Sequence, residues 1–231
     1  MDTAAANAVL RIWASRAEAR ERQVALGRTD AGLRSEVTSG GHMDDMANLI
    51  ADVFVDAGIP RSSVYCGRSK LELPGWFRPE KKWDIVVVHG GKLIAAIELK
   101  AIASSYGNNM NNRSEEAIGT AFDVVHGIKN GLFGSHAPWL GYAFVIRDEK
   151  KSHTPVRVTE PHFKVDRVFR SASYQDRARI LCSRLVLERA YNKAWFVTAD
   201  PDTGLVSEPD DEMTWAKFEA AIRGVVAEAS A

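Results

Sequence analysis

Residues 83–100 read WDIVVVHGGKLIAAIELK, with two apolar runs on either side of a glycine-rich turn signal. Asp84 immediately precedes the first run, and Glu98 immediately follows the second. Because apolar runs joined by such a turn are typical of a β-hairpin, we predict two adjacent antiparallel strands. The run at 85–88 is so uniformly apolar that we expect both faces of this strand to be buried.

The register of this hairpin decides whether its charged side chains meet. Side chains alternate between the faces of a strand, so Glu98 and Lys100 share a face while Leu99 points to the other. We expect Asp84 to pair directly with Glu98, which brings their Cβ atoms to about 4.5–5.5 Å and leaves a three-residue loop at 90–92. A slip of one residue would put the two acids on opposite faces.

Two carboxylates and an ammonium group at the edge of a sheet form a candidate metal site. Mg²⁺ binds carboxylate oxygens and keeps several waters, and it can assist the hydrolysis of phosphodiesters. In the alternative interpretation, Asp84 merely begins a strand, and Glu98 and Lys100 form an ordinary surface pair. The buried character of the flanking strands favours the metal site, and we expect Mg²⁺ as the cofactor.

The composition restricts the class of protein. With 231 residues the chain can form one domain with a substantial core, and we expect a single domain over 1–231 with a helical N-terminal extension at 1–30. The net charge of zero argues against a protein that coats nucleic acid non-specifically. No signal peptide or membrane span is evident. Cys66 and Cys182 lack metal-ligand spacing and suit a reducing cytoplasm, so we expect a cytoplasmic protein. Without a membrane span, we expect no membrane partner.

The remaining periodicities predict an α/β fold with a mixed central β-sheet flanked by helices. Apolar residues at helical spacing predict helices at 4–26, 43–57, 114–130, 171–191 and 214–227. Short apolar runs predict strands at 63–66, 139–146 and 194–198, in addition to the hairpin. We interpret 148–161 as a polar connection.

An asparagine-rich run, GNNMNNRSEE, occupies residues 107–116 between the second hairpin strand and the next predicted helix. We interpret it as a loop in which Asn112 and Glu115 have the spacing of a capping box. A functional interpretation is base recognition, because Asn can form two hydrogen bonds with adenine and Arg two with guanine. The candidate DNA-binding residues are Asn108, Asn109, Asn111, Asn112 and Arg113.

The hairpin motif and the asparagine-rich run together resemble the XhoI-type restriction endonucleases, type II enzymes of the PD-(D/E)XK nuclease superfamily. The resemblance extends over about 32–200 and includes the sequence GHMD at 41–44. It implies a restriction-endonuclease-like PD-(D/E)XK core that makes Mg²⁺-dependent double-strand breaks in DNA within a palindrome related to CTCGAG, as a homodimer. Trp83 stands where the superfamily name has proline, at a position that carries no chemistry.

The resemblance also assigns roles within the hairpin. Asp84 and Glu98 match the metal ligands of the family, Lys100 matches its catalytic lysine, and the carbonyl of Leu99 is a further candidate ligand. The superfamily commonly adds an acid near the first core helix, for which the candidates are Glu36, Asp44 and Asp45.

The sequence leaves open the dimer interface and two alternative functions. The predicted helices 4–26 and 171–191 are both candidates for the dimer interface. A structure-specific repair nuclease of the same fold is one alternative function. A DNA-binding module that does not cut is another, and the intact acidic pair and lysine argue against it.

Overall fold

The structure is a computed structural model that describes residues 1–25, 41–67, 69–134 and 136–230. Its helices are α1 (Thr3–Ala25), α2 (Asp44–Asp56), α3 (Tyr106–Lys129), α4 (Lys150–His153), α5 (Tyr174–Leu187) and α6 (Trp215–Ser230). Its strands are β1 (Val64–Cys66), β2 (Glu72–Pro74), β3 (Glu80–Lys82), β4 (Ile85–His89), β5 (Lys92–Ile102), β6 (Trp139–Arg147), β7 (Lys193–Asp200) and β8 (Leu205–Ser207).

Within these residues the central sheet has six strands in the order β1-β4-β5-β6-β7-β8, and β2 pairs separately with β3. The strands β1, β4 and β5 are antiparallel to one another in turn. The central trio β5-β6-β7 is parallel, and β8 is antiparallel to β7. The predicted α/β fold with a mixed central sheet flanked by helices is therefore confirmed.

Two hydrophobic layers cover the faces of this sheet. One layer joins α1, α2 and α6 to the sheet and is built on Ile50, Phe54, Trp195, Trp215 and Phe218. The other layer joins α3 and α5 to the opposite face and contains Tyr106, Tyr142, Phe144, Phe196 and Cys182. Because both faces are buried, the central strands are continuous apolar runs rather than alternating ones.

The β4–β5 hairpin has the expected register next to the acidic pair. Ile85, the first residue of β4, lies opposite Ile97, the residue before Glu98. The main-chain N–H of Asp84 donates to the carbonyl of Ile97 at 3.2 Å, so Asp84 lies beside this part of β5.

The turn of the hairpin differs from the prediction. The register shifts between Val87 and Val88, so the loop contains only Gly90 and Gly91 instead of three residues. Both glycines have positive φ, at 57° and 74°. A two-residue turn of this kind matches the right-handed twist of the strands, and the bulge accommodates the extra residue.

The asparagine-rich run is helical, so its interpretation as a loop is wrong. Helix α3 begins at Tyr106, and Asn112 lies inside it instead of capping its N-terminus. Asparagine is a weak helix former, which is why the run looked like a loop. The burial of Tyr106, Met110 and Ala117 along one side of the helix outweighs this local preference.

Other helix and strand boundaries differ from the predicted ones by a few residues. Helix α5 begins at Tyr174 and not at Ser171, because Ser173 forms a capping box with Asp176. The short strands β2, β3 and β8 were not predicted, and α4 lies inside the predicted polar connection. Among the residues that the structure describes, no helix has both the length and the apolar character needed to cross a membrane.

Candidate active site

The predicted catalytic side chains line one cleft of about 880 Å³. The open end of the β4–β5 hairpin forms its floor, and α2, β3 and the middle of α3 contribute its walls. Asp84, Glu98, Leu99 and Lys100 all line this cleft, so the structure brings together the residues that the sequence motif singled out.

Asp84 is held in place by the strand beside it. Its Oδ2 accepts a hydrogen bond from the main-chain N–H of Leu99 at 2.7 Å. Burial and the negative charge of Glu98 raise the pKa of Asp84 to about 6, although the ammonium group of Lys100 and the Leu99 N–H act in the opposite direction. A carboxylate with a raised pKa gains from a nearby cation, because the cation stabilises its charged form.

Glu98 is only 3% exposed and lies between two ammonium groups. Its Oε1 accepts from Nζ of Lys100, and its Oε2 accepts from Nζ of Lys81 at 2.5 Å. Burial would raise the pKa of Glu98, but the two lysines outweigh it and hold the pKa below the ordinary value. Burial would lower the pKa of Lys100, but Glu98 and Asp84 outweigh it and raise that pKa.

Lys81 is a residue of this site that the sequence analysis missed. It lies on β3 opposite Leu73 of β2, and its side chain is 13% exposed. Its partner Glu98 is 17 residues away in the sequence and on another strand. No local pattern distinguishes Lys81 from the other lysines and arginines of its segment, so only the folded chain identifies it.

The three candidates for a third acidic ligand differ in where they lie. Asp44 lines the cleft. Asp45, its neighbour, forms an ion pair with Arg11 at 3.5 Å. Glu36 lies outside the described residues. Among the residues that are described, no three His, Cys, Asp or Glu side chains are close enough to share one metal ion, so Asp44 does not complete a three-acid cluster.

The donor set of the cleft nevertheless fits a hard divalent cation. Carboxylate and carbonyl oxygens are the ligands that Mg²⁺ takes from proteins. Since the N–H and C=O of one residue in a strand point to the same neighbour, the carbonyl of Leu99 faces the side on which its N–H meets Asp84. Asp84, Glu98 and the Leu99 carbonyl are thus the groups that would hold the ion, with waters completing its shell.

The five candidate DNA-binding residues are spread around the first turns of α3. Arg113 lines the cleft and pairs with Glu116 at 2.6 Å, and Glu116 lies 3.8 Å from Nζ of Lys100. Asn109 donates to the carbonyl of Ser104, and Asn111 donates to the side chain of Glu115. The remaining two, Asn108 and Asn112, are exposed. The helix therefore places one of the five, Arg113, directly at the cleft.

Basic side chains from other elements complete the walls of the cleft. Arg78, Lys81 and Lys82 line it together with Lys100 and Arg113. The segment that carries Arg78 is fixed by Asp123 of α3. The carboxylate of Asp123 accepts from the main-chain N–H groups of Trp76 and Phe77 at 2.7 and 2.8 Å, and from Nε of Arg78 at 2.7 Å. The cleft is lined by these five basic side chains and by five acidic ones, which are Asp44, Asp84, Glu98, Glu115 and Glu116.

Comparison with known proteins identifies the family of the chain. The family model described as restriction endonuclease XhoI matches residues 22–208. The type II restriction enzyme BstVI of Geobacillus stearothermophilus is 42% identical over 183 residues, which are 76% of this chain and 81% of that protein.

Two further relatives have similar sequence identity and coverage. The type II restriction enzyme XhoI of Xanthomonas vasicola is 41% identical over 183 residues, covering 78% of this chain and 73% of the relative. The type II restriction enzyme AbrI of Azospirillum brasilense is 37% identical over 169 residues, covering 72% and 76%. No solved structure gives a significant match.

The family match covers most of the chain, including every residue that lines the cleft described above. The chain therefore belongs to the XhoI family of type II restriction endonucleases, which are site-specific deoxyribonucleases.

Proposed function

We propose that this enzyme cuts both strands of DNA at a palindromic site related to CTCGAG, with Mg²⁺ as its cofactor and as a homodimer. The observation that carries the proposal is the arrangement of Asp84 and Glu98 beside Lys100 in one cleft that further basic side chains also line. The names of the relatives support the choice of restriction over other DNA chemistry.

The chemistry follows from the side chains of the cleft. When bound, a divalent cation supplies positive charge beside the scissile phosphate and lowers the pKa of a water molecule. Asp84 and Glu98 provide the negative charge that holds the cation, and the burial of both carboxylates strengthens that attraction.

Lys100 acts as a cation and not as a base in this scheme. Glu98 and Asp84 raise its pKa, so its ammonium group stays protonated at neutral pH. From its position beside Glu98 it can donate a hydrogen bond to the attacking water or to a phosphate oxygen, and its charge offsets the negative charge that develops on the phosphate.

A palindrome has two-fold symmetry, and symmetrical cutting of both strands calls for two active sites, which a C₂ homodimer supplies. Of the two candidate interface helices, α1 buries Val9 and Ile12 against the rest of the domain. Helix α5 borders an apolar groove of about 920 Å³ that it shares with α3. Ile118 and Phe122 of α3 are exposed and line that groove, which favours the face shared by α3 and α5, rather than α1, as the interface.

The test is the topology of the product from a supercoiled plasmid with a single CTCGAG site. We expect linear DNA in the presence of Mg²⁺, and no product when the same plasmid carries one changed base in the site. Nicked circles or a continuous smear would indicate a repair-type or non-specific nuclease. Binding without any cutting, in Mg²⁺ and at the intact site, would indicate a DNA-binding module.

A further inference from the structure

Lys81 has three contacts that set it apart from an ordinary surface lysine. Its Nζ donates to Oε2 of Glu98 at 2.5 Å and to the carbonyl of Lys82 at 2.7 Å. The same nitrogen lies 4.9 Å from the centre of the Trp83 ring, where the face of the indole attracts a cation. The ammonium group is therefore held at the wall of the cleft, directly against a proposed metal ligand.

This contact has a consequence for metal binding. Both carboxylate oxygens of Glu98 accept from ammonium groups, Oε1 from Lys100 and Oε2 from Lys81. A divalent cation needs a lone pair of Glu98 and is repelled by both ammonium charges. Each oxygen keeps a second lone pair, but the ammonium charges repel a divalent cation at this short range, so binding of the cation favours release of one of them.

Lys81 is the better candidate for displacement. Lys100 lies on the same strand as Glu98, next to it on one face, and it also approaches Glu116. Lys81 reaches Glu98 from the separate β2–β3 pair. It already has the Lys82 carbonyl and the Trp83 ring as partners, so it can leave Glu98 without losing all of its contacts.

We propose that a divalent cation displaces the ammonium group of Lys81 from Glu98, and that the freed group then binds a phosphate of the DNA in the same cleft. The inference rests on the metal-dependent function proposed above. Lys81 would thus be neutralised by Glu98 in the metal-free enzyme and become a phosphate contact only when the cation is bound. This couples DNA affinity to metal binding through a single side chain.

The first experiment measures metal affinity without DNA, by calorimetric titration of Ca²⁺. The variants are Lys81→Met and the matched control Lys82→Met, which removes the same charge from an exposed neighbour on the same wall of the cleft. Because the cation no longer has to displace a charged hydrogen-bond donor, we expect Lys81→Met to bind Ca²⁺ on the order of tenfold more tightly than wild type. Lys82→Met should have a clearly smaller effect. Equal or weaker binding by Lys81→Met would overturn the inference.

The second experiment measures DNA affinity as a function of salt. Each phosphate contact contributes about 0.9 to the slope of log affinity against log salt concentration. In Ca²⁺, the slope for Lys81→Met should be smaller than the wild-type slope by about that amount, and without Ca²⁺ the two slopes should agree. A slope difference that is absent in Ca²⁺, or equally large without it, would contradict the proposal.

Two controls separate the possible failures. Lys81→Arg keeps the charge and should behave like wild type in both experiments, and circular dichroism confirms that each variant is folded. If wild-type enzyme binds no Ca²⁺, the metal site itself is wrong, and the role of Lys81 falls with it. If wild type binds Ca²⁺ and Lys81→Met binds it equally well, only the role of Lys81 is wrong.

Discussion

We predict the effect of replacing Asp123 on the stability of the protein, which depends on the geometry of the cleft wall and not on catalysis. It is 4% exposed, and its carboxylate accepts from two main-chain N–H groups and from the guanidinium of Arg78. The substitution Asp123→Ala removes all three acceptor contacts at once. It leaves the N–H groups of Trp76 and Phe77 without their partner and frees the segment that positions Arg78.

The cost can be estimated from these contacts. A donor left without its partner costs about 1–3 kcal/mol, and we take the lower half of this range because Trp76 and Phe77 are both exposed residues. The Arg78 side chain is 41% exposed, so its ion pair adds little. With two donors at about 1–2 kcal/mol each, we expect Asp123→Ala to lower the free energy of unfolding by about 2–4 kcal/mol.

The effect should depend on pH in a defined direction. Burial would raise the pKa of Asp123, but the Phe77 N–H, Arg78 and the Trp76 N–H outweigh it and hold the pKa below the ordinary value. The stabilisation is then complete above the unfolded-state pKa of about 3.9 and is lost as the pH falls through the lower, folded-state pKa. The difference between wild type and Asp123→Ala should therefore shrink below about pH 4.

Urea denaturation at pH 7 and pH 3 measures this difference. The matched control is Asp52→Ala, which breaks an ion pair with Arg61 whose side chains are 66% and 52% exposed. It should cost less than about 1 kcal/mol. The reasoning is refuted if Asp123→Ala costs no more than Asp52→Ala at pH 7, or if its cost is as large at pH 3.

The remaining predictions concern cutting and recognition. Glu98→Ala should reduce cleavage to background and abolish the binding of Ca²⁺, as measured by calorimetry, because it removes a buried ligand; unchanged Ca²⁺ affinity would contradict this role. Lys100→Ala should lower the cleavage rate by at least a hundredfold, on the order of a lost transition-state contact, while Ca²⁺ still binds; near-normal cleavage would exclude Lys100 from catalysis. Arg113→Ala should weaken DNA binding more than Asn111→Ala, since only Arg113 lines the catalytic cleft. Equal losses in a filter-binding assay in Ca²⁺ would mean that the cleft does not determine which side chains of α3 meet DNA.

Local patterns predicted the part of the site that lies on one hairpin. The apolar runs and the Gly90-Gly91 pair define β4 and β5, and strand alternation then places Glu98 and Lys100 on one face. The bulge after Val87 was not predictable, because it depends on how the twist of the strands fits the turn. The error stayed at the turn and left Ile85 opposite Ile97, next to the acidic pair, as predicted.

Features that depend on distant contacts could not be predicted. The start of α3 is set by the burial of Tyr106 and Met110 in the core, which overrides the weak helix propensity of four asparagines. Lys81 and Arg78 reach the cleft from the segment around β3, a strand of three residues that is too short to show a period. Their partners, Glu98 and Asp123, are identified only once the chain is folded.

We propose that Asp84 and Glu98 hold a divalent cation with which this enzyme cuts DNA inside a palindrome. The most direct measurement is to digest a long DNA of known sequence, with Mg²⁺ and with a chelator, and to map the ends of both strands. We predict symmetrical ends within sites related to CTCGAG in Mg²⁺ and intact DNA in the chelator. Ends at unrelated sequences, or the same cutting when the chelator is present, would contradict the account.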